Sequence, residues 1–174
     1  AEVFQLVSGP MRRAAAQKKR ELSHRSADVV LWRGTFLQPR NTRVFSNYAE
    51  TRDYWFEGKA LDTQVHAGFD LASTRQAPVP AANHGRVAFA GDLGIYGNTV
   101  IVDHGLGVQT LYSHLSALEV QEGQEVDQGQ EIGRTGTTGL AVGDHLHYEV
   151  LVHGEPTNPL QWWDERWVEE HVEK

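Results

Sequence analysis

Gly143-Asp144-His145-Leu146-His147-Tyr148-Glu149-Val150 reads as a β-strand, with aromatic and β-branched residues set between a turn-forming Gly-Asp and His153-Gly154. Side chains alternate along a strand, so His145 and His147 share one face, and Leu146, Tyr148 and Val150 take the other. The second face suits an apolar core. Two imidazoles one pleat apart suit a divalent metal, or one metal ligand beside one proton carrier. An isolated His-x-His can also be two histidines exposed by chance. The rest of the chain decides between these.

Working outward, Gln64-Val-His-Ala-Gly-Phe-Asp-Leu-Ala72 alternates in the same way. As one strand it sets His66, Gly68 and Asp70 against an apolar face of Val65, Ala67, Phe69 and Leu71, with Gly68 leaving room for a ligand or ion near the backbone. A third stretch, Leu111-Tyr-Ser-His-Leu115, would put His114 on one face with Tyr112, and Leu111, Ser113 and Leu115 on the other. Short β segments and Gly-rich turns surround it, at residues 85–91, 99–103 and 109–115. Val120-Gln-Glu-Gly-Gln-Glu-Val126 and Val126-Asp-Gln-Gly-Gln-Glu-Ile-Gly133 then repeat a phrase at six-residue spacing, as tight hairpins in a compact all-β sheet would. Biotinyl and lipoyl carrier domains have similar phrasing. Those carry a modified Lys at a hairpin tip, and no Lys lies between Lys59 and Lys174, which excludes a carrier role.

The two ends differ from this middle. Residues 1–43 hold nine Lys/Arg against three Asp/Glu, whereas the remainder holds seven against 20. Pro10 to Arg25 favours a basic helix whose apolar content is mostly Ala, hence a peripheral element or the tail of an upstream module. Residues 29–38 suggest one or two short strands closed by Pro39, and residues 43–63 mix aromatics with charge, as a loop beside a substrate groove or an ordinary sheet edge would. Residues 160–171 suggest an acidic amphipathic helix packed through its Trp side chains. The chain starts at Ala1 and not Met, so a processed form or an excised piece is expected, and an upstream module or membrane anchor could precede it.

At 174 residues and 40% hydrophobic content the chain can bury a single core. A formal charge of −7 argues against a general nucleic-acid surface. With no Cys there is no disulfide framework and no thiolate site, so a metal must take imidazole and carboxylate ligands. Two histidines and one carboxylate with an open fourth position form the ligand set of a catalytic zinc centre. That set would be His66, Asp70 and either His145 or His147; spacing leaves the choice open. Zinc lowers the pKa of a bound water towards about 7 and polarises a carbonyl under attack. His114 and the other histidine of the pair would then carry protons. His24, His84, His104, His153 and His171 have no partner at ligand spacing and read as structural or solvated.

The phrases His66-Ala-Gly-Phe-Asp70, Gly97-Asn-Thr-Val-Ile-Val-Asp-His-Gly105, Thr110-Leu-Tyr-Ser-His-Leu115, Gly129-Gln-Glu-Ile-Gly133, Gly136-Thr-Thr-Gly139, His145-Leu-His-Tyr-Glu149 and Asn158-Pro159 together resemble the lysostaphin/LytM-type zinc metallo-endopeptidases. Members of that family are peptidoglycan hydrolases. The resemblance spans residues 30–162 and implies a mainly β fold. It would be a compact antiparallel sheet related to the barrel-sandwich hybrid, with an open groove and peripheral N- and C-terminal helices. The peptidase domain is expected at 30–162, with a basic helical extension or the remnant of an upstream module at 1–29 and an acidic helix at 163–174, both outside the match.

For chemistry the resemblance implies one Zn2+ per chain on His66, Asp70 and His147, with His145 and His114 as the catalytic pair and a zinc-bound water as nucleophile. The substrate would be the stem peptides and cross-links of peptidoglycan, met by a monomer in the bacterial cell envelope, periplasmic or extracellular. The alternative is a non-catalytic or latent LytM-like domain that binds and activates a cell-wall amidase. One departure stands out: no Tyr occupies the place before His66 where a transition-state stabiliser is expected.

Overall fold

The computed structural model describes residues 2–39 and 42–172, and antiparallel strands make up most of it. Helix α1 (Glu2–Ser23) comes first. The strands are β1 (Arg43–Ser46), β2 (Thr51–Phe56), β3 (Lys59–Val65), β4 (Phe69–Ala72), β5 (Pro78–Pro80), β6 (Gly85–Asp92), β7 (Asn98–Gly105), β8 (Val108–Ser113), β9 (Ala117–Leu118), β10 (Glu125–Val126), β11 (Glu131–Arg134), β12 (Leu146–Val152) and β13 (Glu155–Thr157). Helices α2 (Pro159–Trp162) and α3 (Glu165–His171) follow.

The main sheet runs β1-β4-β12-β8-β7-β6-β10. β12 is central because its apolar face can be buried along its whole length. It pairs β8 on one edge; on the other it pairs β4 through Leu146–Tyr148 and β13 through Val150–Val152. Smaller sheets are β5-β11-β9 and the hairpin β2-β3. The fold is thus mainly β and antiparallel, without closure into a barrel.

Alternation sorts the sheet into two faces. Val100, Val102, Tyr112, Leu146, Tyr148 and Val150 belong to the larger core, which Phe69, Phe36 and Trp162 complete. Ile101, Leu111 and Leu151 point the other way and pack with Ala15 and Leu22 of α1. Each such fully buried aliphatic side chain contributes about 1.5–3 kcal/mol. The N-terminal helix is therefore less peripheral than its Ala-rich sequence implies: Ala15, Lys19 and Leu22 form one buried stripe, at helical spacing, on the second face.

Four further expectations change. Residues 29–38 form no ladder, because their backbone bonds go singly to separate places: Leu31 to His104, Phe36 to Trp162 and Leu37 to Ala82. Residues 64–72 are not one strand; β3 ends at Val65 and β4 starts at Phe69. The six-residue repeat does give twin turns, with Gly123 and Gly129 both at positive φ, but the strands they bound join different sheets. The C-terminal helix is two short helices, since Asn158 and Asp164 each cap a new one. Glu173 and Lys174 lie outside the described residues.

Candidate metal centre and groove

Strand register builds the centre. Asp70 on β4 lies opposite His147 on β12, and His147 lies opposite Ser113 on β8. His114 follows Ser113 with φ 61°, so the alternation of β8 breaks there. Tyr112 accordingly stays in the core while His114 turns to the site, against the expectation that the two share a face. A β-type conformation at residue 114 would have aimed the imidazole elsewhere.

His66 arrives from the connection between β3 and β4. The turn after β1 clamps it: His66 N donates to Glu50 O at 2.9 Å and Ala49 N donates to His66 O at 2.9 Å. Gly68 is needed here for close approach, not to leave space for an ion: a Cβ on it would sit 2.1 Å from the Tyr148 carbonyl oxygen. The backbone of β12 fills the room that a side chain would take.

His66, Asp70 and His147, all buried, place one ligand atom each within 4.8 Å of one another. His66 Nε2 is 3.1 Å from Asp70 Oδ1 and 3.0 Å from His147 Nδ1, and His147 Nδ1 is 2.8 Å from Asp70 Oδ1. The far nitrogens fix the tautomers of neutral rings. His66 Nδ1 lies 2.7 Å from the Asn47 carbonyl, which can only accept, so the proton is on Nδ1. His147 Nε2 lies 2.9 Å from Glu149 Oε1, which likewise accepts. Two imidazole lone pairs and a carboxylate oxygen then converge, an arrangement that repels itself unless a cation sits among them. Tetrahedral zinc with bonds near 2.0 Å needs ligand atoms about 3.3 Å apart, so the three would spread by only a few tenths of an ångström. The donor set fits the ion.

Around this cluster, Arg52 Nη2 donates to the second oxygen of Asp70, leaving Oδ1 to face the histidines. His145 Nε2 is 3.6 Å from Asp70 Oδ1, while its Nδ1 lies 2.7 Å from the Gly143 carbonyl. His114 Nδ1 lies 2.8 Å from the Thr138 carbonyl, and the rings of His114 and His145 are 4.8 Å apart. Both rings donate through Nδ1, which in the neutral tautomer leaves the lone pair on Nε2. Gly97, at positive φ and packed against Thr138, brings that carbonyl into place; a Cβ there would meet the Thr138 backbone at 2.4 Å. His114 and His145 line a groove of about 950 Å³ with Phe45, Tyr54 and Val142, and a smaller cavity of about 200 Å³ lies between this site and α1.

When protons and not a cation bridge the three residues, burial opposes charge on Asp70, but hydrogen bonds from His147 and His66 outweigh it and hold the carboxyl well below its usual range. His147 is also buried, yet Asp70 and Glu149 raise its pKa. Burial, with His147 adding to it, lowers His114 to about 4. Glu149 is fully buried and still falls to about 2, held there by Lys19 and His147.

All five residues singled out from the sequence therefore meet at one place. Four others at the site escaped that reading. Glu149 was legible, since it follows His145 and His147 on the same face of β12. Arg52 and Tyr54 alternate on β2 and both line the groove, within a stretch whose aromatic and charged residues fit two descriptions. Tyr54 also supplies a tyrosine at the groove from a strand far ahead of His66. Lys19 gave no local signal at all.

Comparison with known proteins agrees with this geometry. A sequence profile of peptidase family M23 matches residues 64–159. The DD-carboxypeptidase/endopeptidase Mpg of Neisseria meningitidis is 45% identical over 97 residues, which is 56% of this chain and 22% of that protein. The murein hydrolase activator NlpD of Escherichia coli is 34% identical over 116 residues, 63% of this chain and 30% of that one. The chain thus spans under a third of either relative's length. Among solved structures, a zinc containing peptidase from Vibrio cholerae superposes with a TM-score of 0.65 at 30% identity, covering 74% of this chain and 40% of that one. The catalytic domain of lysostaphin from Staphylococcus simulans gives 0.60 at 26% identity, covering 71% and 92%. With a matched profile over more than half its residues, a lysostaphin-like fold and an imidazole–carboxylate cluster inside the matched segment, this chain belongs to peptidase family M23.

Proposed function

We propose that this protein is a zinc metallo-endopeptidase that hydrolyses peptide cross-links of bacterial peptidoglycan. One zinc ion is held by His66, Asp70 and His147, with His114 and His145 as proton carriers. The observation that carries this reading is the convergence of three donor atoms beside two further imidazoles, each anchored through its Nδ1. Zinc, when bound, supplies an acidified water and polarises the substrate carbonyl.

The rest falls to the chain. His145 Nε2, next to Asp70, is placed to take a proton from a water entering the groove and to return one to the leaving amine. His114, neutral at ordinary pH because burial lowers its pKa, sits against His145 and can hold a hydrogen bond to the same oxygen. Arg52 keeps Asp70 in one orientation. Phe45, whose ring stands edge-on 5.5 Å from His145, gives the groove an apolar wall. The names of Mpg and of the Vibrio cholerae peptidoglycan DD-endopeptidase ShyA, 41% identical over 96 residues, favour a peptide bond between D-configured centres. Such a substrate places the protein in the cell envelope, and every residue the reading needs lies within one chain, as a monomer requires.

Digestion of purified sacculi tests the reading. Cross-linked muropeptides should fall and uncross-linked ones rise, a chelator should stop this, and added zinc should restore it. Zinc-loaded protein that leaves every cross-link in place overturns the reading. The similarity to NlpD would then favour the second one, an activator, which predicts no cleavage by this protein alone and faster cleavage by a wall amidase in its presence.

A further inference from the structure

We propose that Lys19 of helix α1 is a positioning residue of the metal centre, acting on His147 through the buried carboxylate of Glu149. The inference rests on the cluster being a zinc site, and it concerns a residue outside the segment that matches the family.

Odd-numbered residues of β12 run along one face of the sheet, from His147 at the cluster through Glu149 to Leu151 under α1. Glu149 is wholly buried, so its two oxygens must both find donors. Oε1 faces His147 Nε2 at 2.9 Å and accepts from the Tyr96 hydroxyl at 2.8 Å. Oε2 accepts from Lys19 Nζ at 2.9 Å. Lys19 is only 4% exposed, and its ammonium also lies 3.3 Å from the Tyr96 oxygen. Ala15 and Leu22, one turn away on either side, press the helix onto Leu111 and Leu151 and so fix where that ammonium sits.

This arrangement has a specific consequence for His147. An imidazole binds metal well when its other nitrogen donates to a carboxylate, which fixes ring and tautomer and raises basicity. The carboxylate must itself be countered and held still, and Glu149 is too deeply buried for bulk water to do either. Lys19 provides the charge, and the docked helix provides the rigidity. Without it, Glu149 would be a buried anion facing only an imidazole and a phenol. Its Oε2 would then lack a donor, and the carboxylate would be free to turn and draw His147 out of the line that points Nδ1 at Asp70. A segment that reads in sequence as a loose basic helix thereby becomes part of the centre.

Zinc titration of metal-stripped protein in competition with a chromophoric chelator tests this, with zinc alone as the probe. Lys19→Met should weaken zinc binding by about 10–100-fold, the loss typical of an outer-shell partner. Lys19→Arg, which keeps a cation, should recover part of it. Arg13→Met, an equal loss of charge on the exposed face of α1, should bind as the parent does. The route through Glu149 is tested by a second pair: Glu149→Gln and Lys19→Met/Glu149→Gln should bind zinc equally, both below the parent. That pair also serves should Lys19→Met fail to fold, because the double variant buries no unpaired charge. Undiminished affinity in Lys19→Met, or a full Lys19 effect in the Glu149→Gln background, overturns the inference and leaves the zinc reading standing. A parent protein that binds no zinc overturns both.

Discussion

His66 and His147 meet at one point from opposite kinds of support. His66 sits on a connection between strands, points Nε2 inward, and rests its Nδ1 proton on the Asn47 backbone carbonyl. His147 sits mid-sheet, points Nδ1 inward, and rests its Nε2 proton on the Glu149 carboxylate. The other buried imidazoles follow the first pattern: His114 on Thr138, His145 on Gly143 and His104 on the His84 carbonyl. A carbonyl fixes a tautomer and brings no formal charge to the ring. A carboxylate fixes the tautomer and also makes the ring more basic. One anchor belongs to the backbone and survives most substitutions; the other belongs to a side chain and depends on a distant helix.

The largest effect separates ligand from proton carrier within the His-x-His pair. His147→Ala should lose the metal, because it removes one of three donors, and activity should go with it. His145→Ala should keep about one zinc per chain and still lose about 10²–10⁴-fold in turnover, the usual worth of a positioned proton carrier. Metal analysis beside turnover on sacculi checks both. If His145→Ala lost the metal and His147→Ala kept it, the two roles would be exchanged and the carboxylate anchor would lack a purpose.

Much of this comparison is legible in the amino-acid sequence, and the reason lies in strand periodicity. Alternation places His145 and His147 together and Leu146, Tyr148 and Val150 in the core, because β12 is regular and its extended course already begins at His145, which bridges Gly136. The same rule fails at His114, where a single positive φ reverses the side chain, and at His66, where the strand stops. It misses Lys19 for a different reason. An ion pair spanning 130 positions leaves no trace in local pattern, and a basic, Ala-rich segment looks the same whether one lysine is buried or none. The two C-terminal helices blur into one because only Trp163 and Asp164 separate them, although Asn158 and Asp164 each carry the side-chain oxygen that starts a helix.

Burial and the buried carboxylates also predict how stability of the metal-free protein depends on pH. His104 and His114 are both held near 4, by burial first, against an ordinary value of 6.5. Below pH 6.5 the unfolded chain takes up protons that these two folded sites refuse. Stability therefore falls as pH drops from 6.5 towards 4, by about 1.4 kcal/mol per pH unit for each group. His147 acts with the opposite sign: although burial opposes it, Asp70 and Glu149 raise its pKa, so its contribution is full below 6.5 and is lost as pH rises through the folded value. Asp70 and Glu149 begin to cost stability only below about pH 4.5, where the unfolded carboxyls protonate. Urea midpoints of the apo protein should thus peak near neutrality and fall on both sides. A flat profile between pH 5 and 6.5 would contradict burial as the force that holds His104 and His114 neutral.

The smallest effect is the sharpest check on the comparison, because it predicts almost nothing where proximity alone predicts a loss. Asn47 is the residue whose atom lies nearest the Nδ1 of His66, yet the contact is to its backbone oxygen, and its side chain is exposed. Asn47→Ala keeps that oxygen. Zinc affinity should stay within about twofold of the parent, as for other exposed substitutions worth under roughly 0.5 kcal/mol. Glu149 lies no nearer to its histidine, at 2.9 Å against 2.7 Å, yet its side chain is the anchor itself. Chelator competition on the two variants would therefore show whether the kind of atom behind each imidazole, and not its distance, sets the strength of the site. A loss in Asn47→Ala as large as that in Glu149→Gln would mean that both shells act only by packing.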